Sequence, residues 1–459
     1  MKRNILCFVI ISCVALLQVG CDYEKDVVLN DATSGSSIGD DEDDAVDNQE
    51  WTSSLNIVWN GSSATVSGSV DGVTVSNSNG FVTVTSTVEG VAYNVSGSGT
   101  GQLSIYSDYK FQLALQGLTL SCSNGPAINN QCHEACYVVV SSTNTLSDGS
   151  SYSSSSEDRK AAFFSEGQLC FSGSGTLNVT GNYKHALASD DYIRLCSGMT
   201  ATINLTAKVN DGMHANDGIL IEAGTLSVTA KDECVRTDDG AIEITGGTIV
   251  AISQSEAIES KGTLTISGGQ VYAQGSDDAI NAGGDLTISG GYVCAYSTGN
   301  DGIDANGNCY IQGGLVYAIG ASSPEVAIDA NSEEQKTLYV QGGTLVAIGG
   351  LESGASLTQT CYSASSWSKS TWYALTVGSN VFAFKTPSSG GTTLVVSGAS
   401  TPALTSGVSA SGTAVFNGMG YYPASVSGGS SVTLSAYSGN SGGGPGGGGY
   451  PGGGGPGGH

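Results

Sequence analysis

Between Asn210 and Asn331, apolar and polar positions alternate in short runs that break at paired glycines and resume in phase. Leu264, Ile266, Val271 and Ala273 alternate with Thr265, Ser267, Gln270 and Tyr272, with Gly268 and Gly269 between the two runs. A period of two interrupted at a glycine pair reads as strand, corner, strand. No window carries the apolar spacing of a helix. The same unit recurs as AIEITGGTIVAISQSEAIESKG, TLTISGGQVYAQGSDDAINAGG, DLTISGGYVCAYSTGNDGIDANG and NCYIQGGLVYAIGASSPEVAIDAN. Its register glycines at 224, 247, 269, 291 and 314 step by 23, 22, 22 and 23 residues, with weaker copies at Gly175, Gly198 and Gly343. So constant a period predicts a solenoid in which each repeat is one coil stacked on the next. The expected fold is all-β, a parallel β-helix of 22–23 residues per coil.

The same pattern divides the chain. Residues 1–20, with Lys2 and Arg3 before an apolar run ending in LLQVGC, read as a lipoprotein signal peptide, and Cys21 as the lipidated residue. Residues 21–50 are acidic and poor in aromatics, with DDEDD at 40–44, and read as a disordered tether. Short alternating strands over 51–111 read as an N-terminal β cap, 112–350 as the parallel β-helix, and 351–440 as a C-terminal β domain without coil register. Residues 441–459, GGGPGGGGYPGGGGPGGH with flanking residues, read as a disordered glycine-rich tail.

In this register acids recur at one corner. Asp211, Glu233, Glu256, Asp278, Asp301 and Glu325 hold equivalent places in successive coils. Three residues on come His214, Arg236, Glu259, Asn281 and Asp304, with Asp329 four after Glu325. Asp217, Asp238 and Asp239 form a second acidic fringe. Coils stack about 4.8 Å apart, and two carboxylates at roughly 5 Å repel by about 3 kcal/mol at an effective dielectric near 20. Calcium, which takes oxygen ligands, answers that repulsion. The candidate metal ligands are therefore Asp211, Asp217, Glu233, Asp238, Glu256, Glu259, Asp278, Asp301 and Asp304. Solvated corner residues are the plainer alternative, since Asp and Asn favour turns.

The formal charge of −26 argues against nucleic acid and anionic membranes as partners. It leaves acidic polysaccharide open, because calcium bridges like charges. Of twelve cysteines, Cys7 and Cys13 leave with the signal and Cys21 takes lipid, so nine remain and at least one is unpaired. Cys170, Cys196, Cys234, Cys294 and Cys309 fall inside coils as small buried residues. Cys132 and Cys136 in QCHEAC could pair or, with His133, touch a metal, although the spacing matches no strong zinc signature.

At GTLNVTGNYKHALASDD, NDGMHANDG, SDDAINAGGDLTISGG and NDGIDANG the chain resembles the bacterial carbohydrate-binding β-helix proteins, which are pectate-lyase-like in fold. The resemblance spans roughly 113–349. It implies a right-handed parallel β-helix, calcium along one edge, and affinity for cellulose or polygalacturonate. The family's acidic corner residues carry over onto Asp211, Glu233, Glu256, Asp278, Asp301 and Asp304, while His214, Arg236 and Asn281 depart from it. The acidic residues behind Cys21 resemble the tag of surface lipoproteins in the Bacteroides group.

The expected function is non-catalytic, calcium-dependent binding of plant cell-wall-type polysaccharide by a monomer anchored to the outer membrane through lipid. Tyr272, Tyr292 and Tyr317 are the candidate sugar-stacking residues, with a structural aromatic ladder as the alternative. A pectate lyase is the enzyme alternative, needing a base beside the metal; Arg236, Lys231 and Lys261 are its weak candidates. A glycosidase would need a defined carboxylate pair, and none stands out. An adhesin or stalk built on the same rigid solenoid remains open.

Overall fold

The structure, a computed structural model, describes residues 49–439. The signal, Cys21, all but the last two residues of the tether and the glycine-rich tail lie outside the described residues. Within them the regular structure is strand, with two single-turn 3₁₀ segments at Ser332–Glu334 and Phe416–Gly418.

The strands stack as a parallel β-solenoid with three faces. One face is an 11-stranded sheet whose members run from Val73–Ser78 to Ile303–Ala305. The other two faces belong to a 26-stranded sheet. They part at Phe111–Ser121, which pairs in parallel with both Cys136–Ser141 and Thr143–Ser147. A typical coil contributes Ile280–Ala282, Leu286–Ile288 and Tyr292–Ser297, one strand to each face.

Inward positions repeat the same residue types because each strand lies in register on its copy. Leu264 pairs with Leu286 and then Cys309, and Ile258 with Ile280 and then Ile303. All six are fully buried. Each buried aliphatic side chain contributes roughly 1.5–3 kcal/mol, and the stack repeats that contribution coil after coil. The register glycines 224, 247, 269, 291, 314 and 343 all take φ between +74° and +82°. A side chain at Gly269 would also meet the Gly246 carbonyl at 2.5 Å, so the corner requires glycine twice over.

Parallel stacking begins well before Gln112. Ser53–Gly61 pairs in parallel with Val91–Thr100, and Phe81–Ser86 with Gln102–Ser107. Antiparallel pairing at this end is confined to the hairpins Ser53–Gly61 with Ser63–Ser67 and Val73–Ser78 with Phe81–Ser86. The stretch read as a separate cap is thus the start of the solenoid, closed by two hairpins. Its irregular turns hide a register that the strand pairing reveals.

At the other end Leu394–Ser397 runs antiparallel to Thr344–Ile348 and ends the parallel ladder, a device that covers an otherwise open strand edge. Trp372–Val377, Asn380–Lys385, Ala403–Val415 and Gly420–Val432 close into a four-stranded antiparallel barrel. Its Phe382, Phe384 and Phe416 pack against the solenoid's Tyr317. All nine described cysteines are buried thiols. Cys132 and Cys136 form no bridge. His133 is exposed while both thiols are buried, so QCHEAC does not assemble a metal site.

Candidate functional site

From Ala188 onward the 11-stranded sheet turns one residue of each strand outward, and strict pairing aligns those residues. Ala188, His214, Arg236, Glu259, Asn281 and Asp304 succeed one another in register. Ile303 bridges Ile328, which brings Asp329 next in line. Three residues earlier, His185, Asp211, Glu233, Glu256, Asp278 and Asp301 occupy the corner. There the backbone runs Ala186 N–H to Asp211 O, Gly212 to Glu233, Ala257 to Asp278 and Ala279 to Asp301. The acids separated by 22–23 residues are therefore vertical neighbours. Glu325 is offset, because Val326 holds its corner position.

The two halves of this double column differ in charge balance. In the earlier half the chain supplies its own cations. Arg236 reaches Glu233 at 3.2 Å, Asp238 at 3.2 Å and Glu259 at 3.1 Å, and Lys261 pairs with Glu259. His214 lies 2.8 Å from Asp211 and 3.3 Å from Asp238. Burial by itself would raise Asp211, but its hydrogen bonds with His185 and His214 hold its carboxyl well below the usual range. The bond from His214 likewise holds Asp238 low. Glu233 is pushed up by burial and by Asp211.

In the later half, among the described residues, no lysine, arginine or histidine pairs with Asp278, Asp301, Asp304 or Asp329. One oxygen of each of Asp301, Asp304 and Asp329 lies within 4.8 Å of the others. Asn281 donates to Asp278 at 3.2 Å and to Asp304 at 2.9 Å. The Asp301 backbone N–H donates to Asp278 Oδ1 at 2.9 Å. Burial, then neighbouring carboxylates, push Asp278 up to about 8. Burial pushes Asp301 up to about 7 and Asp304 up to about 6. Asp329 is raised by burial and by its hydrogen bond to Glu352. An all-oxygen donor set with no cation of its own fits a hard divalent ion.

Beside this cluster runs a polar groove of about 370 Å³ lined by Gln254, Ser255, Ser276, Asp277, Asn300 and Glu325. Ser255, Asp277 and Asn300 each immediately precede an acid of the column, so groove and cluster share one corner of the coil.

The remaining sequence candidates lie outside the Asp301, Asp304 and Asp329 cluster. Glu256 accepts from Ser255, and Asp217 sits at the next corner, its backbone N–H on Asp191 O. Arg236 is held by three carboxylates, with its pKa raised by Glu259 and Glu233 against the effect of burial. Lys261 is held by Glu259, and Lys231 is exposed at a strand end.

The tyrosine platform needs correction. Tyr272 is 6% exposed and Tyr317 is 0% exposed. Tyr317 donates to the Lys385 carbonyl at 3.0 Å and packs on Phe384 with centroids 5.3 Å apart. Tyr292 is half-buried edge-on against Tyr422. These side chains do point out of the coil, but the C-terminal barrel covers that face. A stacked, half-buried aromatic pair away from the barrel contacts is Tyr310 and Tyr339, with centroids 5.0 Å apart and planes at 5°. The signal for it was in the sequence: YIQGG at 310–314 and YVQGG at 339–343 place both tyrosines at the same outward point. Asp329 was likewise legible as a residue of the acidic line but not as a member of a cluster with Asp301 and Asp304.

The fold and column together define a parallel β-solenoid with an acidic, cation-poor edge. A family model described as carbohydrate-binding domain-containing protein matches residues 78–330, more than half of the chain. The chain belongs to that family. A solved structure of the polysaccharide lyase-like protein from C. thermocellum, a gadolinium derivative, is 20% identical with a TM-score of 0.40; the match covers 60% of this chain and 96% of that one. No curated protein matches.

Proposed function

We propose that this chain is a non-catalytic, calcium-dependent carbohydrate-binding protein, held at the cell surface by a lipid on Cys21, that recognises plant cell-wall-type polysaccharide. The observation that carries the reading is the convergence of Asp301, Asp304 and Asp329 without a cation partner among the described residues, beside a groove of hydroxyl, amide and carboxylate groups. Asp301, Asp304 and Asp329 would hold calcium, which neutralises them and leaves coordination positions for water or a uronate carboxylate. Gln254, Ser255, Ser276 and Asn300 would donate to or accept from sugar hydroxyls. Tyr310 and Tyr339 offer aromatic surface on another face of the same coils.

The state of the candidate bases favours binding over catalysis. Proton abstraction calls for a base with a lowered pKa beside the metal. Arg236 is instead raised and bound by three carboxylates, in the half of the column away from the cation-poor cluster.

The test is affinity electrophoresis through gels cast with polygalacturonate or a soluble cellulose derivative, with calcium or with chelator. Retardation in calcium alone, without ultraviolet absorbance from unsaturated uronate, is the expected result. Equal mobility in every gel would remove the reading.

A further inference from the structure

The earlier end of the column carries donors of a different chemistry. His185 takes the corner position where later coils place an acid, and His214 takes the outward position of the next coil. Their rings stack with centroids 4.2 Å apart and planes at 26°. Both Nδ1 atoms face Asp211 Oδ2, at 3.2 Å and 2.8 Å. Exposure is 6% for His185, 5% for His214 and 2% for Asp211.

What lies behind each ring sets what it offers. Asp238 Oδ2 is 3.3 Å from His214 Nε2. A carboxylate behind an imidazole keeps the proton on that nitrogen and turns the other toward a metal as a lone pair. The Asp211 backbone N–H approaches His185 Nδ1 at 3.4 Å, so that nitrogen also faces inward as an acceptor. With both rings neutral, two nitrogen lone pairs and a carboxylate oxygen converge on one point, an arrangement that calls for a proton or a metal ion among them. The other oxygen, Asp211 Oδ1, is buried without a hydrogen-bond partner, an unmet acceptor at the same place.

We propose that His185, His214 and Asp211 bind a divalent transition cation of the Zn²⁺ type, at a site chemically separate from the oxygen-only calcium position. Imidazole nitrogen is a good ligand for Zn²⁺ and its first-row neighbours, whereas calcium selects oxygen. Two ligands about 2.1 Å from a tetrahedral ion lie roughly 3.4 Å apart, so the contacts at 2.8 and 3.2 Å admit the ion with small outward shifts. The ion would join two successive coils and act as a staple between them.

The experiment uses the full chain, stripped of metal and then held in excess Ca²⁺ so that the acidic cluster is filled. Titration with Co²⁺ should give the visible absorption of a nitrogen-coordinated ion, Zn²⁺ should displace it, and Zn²⁺ should raise the melting midpoint. The H185Q/H214Q variant should bind Zn²⁺ at least about tenfold more weakly, while D301N/D304N should bind it unchanged. His133 and His459 remain in both. Zn²⁺ affinity unaltered by H185Q/H214Q would overturn the proposal. So would Co²⁺ that gives no nitrogen-ligated spectrum on the unsubstituted chain, a reading that needs no variant to fold, or that yields readily to Ca²⁺. Failure here leaves the calcium-dependent retardation of the unsubstituted protein unaffected, so the two readings fail separately.

Discussion

Asn281 donates from its side-chain amide to Asp304 Oδ2 across 2.9 Å, tying two adjacent coils at the point where the column changes character. Above it the outward positions hold His214 and Arg236, which pair with their acidic neighbours. Below it they hold Asp304 and Asp329, which no cation among the described residues neutralises. One neutral residue therefore separates a stretch with its own basic partners from one where the described residues supply none.

Replacing Asp301 and Asp304 by Asn should remove the demand for that cation. The melting midpoint in chelator should rise, because like charges no longer crowd. The gain on adding calcium should vanish. In the natural chain, calcium at 100 times its dissociation constant adds about 2.7 kcal/mol, a shift of several degrees. Differential scanning calorimetry with and without calcium checks both signs, and a variant still stabilised by calcium would move the site elsewhere.

The pH dependence follows from the same acids. Asp278, Asp301 and Asp304 have folded-state values raised to about 8, 7 and 6, above an ordinary value of 3.8. Their stabilising contribution is complete below the ordinary value and is lost as pH rises through 6 to 8. In chelator the midpoint should therefore fall between pH 5 and 8, and calcium should flatten the fall. A chelated protein that grows more stable over that range would contradict the assignment.

The aromatic residues separate into two roles. Ala in place of Tyr317, fully buried beneath the barrel, should destabilise by about 3–5 kcal/mol. Ala in place of Tyr310 or Tyr339 should leave the melting midpoint within a degree or two. Each such aromatic contact is worth about 1 kcal/mol, so each loss should weaken polysaccharide affinity by about fivefold. Affinity electrophoresis paired with thermal melts reads both, and unchanged retardation in Tyr310→Ala would exclude that face from binding.

Two glycines distinguish strain from crowding. Gly198 and Gly269 share φ near +77° and +76°. A side chain at Gly198 meets nothing within 4 Å, whereas one at Gly269 meets the Gly246 carbonyl at 2.5 Å. Gly198→Ala should cost about 1–2 kcal/mol from backbone strain alone, and Gly269→Ala clearly more. Denaturant midpoints measure the difference.

Much of the solenoid was legible in the chain itself. Leu264 and Ile266 recur as Leu286 and Ile288 at the step the glycines set, and stacked coils require that regularity for their cores to align. The vertical adjacency of Asp278 and Asp301 followed from the same count. Residues 53–111 were harder, since their hairpins disturb the spacing while the pairing of Ser53–Gly61 with Val91–Thr100 keeps it.

The sequence by itself determined the coil, its core and the line of acids, because each is a periodic property and a period is visible in one dimension. The tertiary structure alone decided which outward residues stay outward. Tyr317 and Tyr310 occupy comparable outward positions on different faces, yet one is sealed under Phe382, Phe384 and Phe416 and the other is not. It also decided where the acids lack cations, since the reach of Arg236 to Glu233, Asp238 and Glu259 depends on side-chain geometry that no spacing encodes.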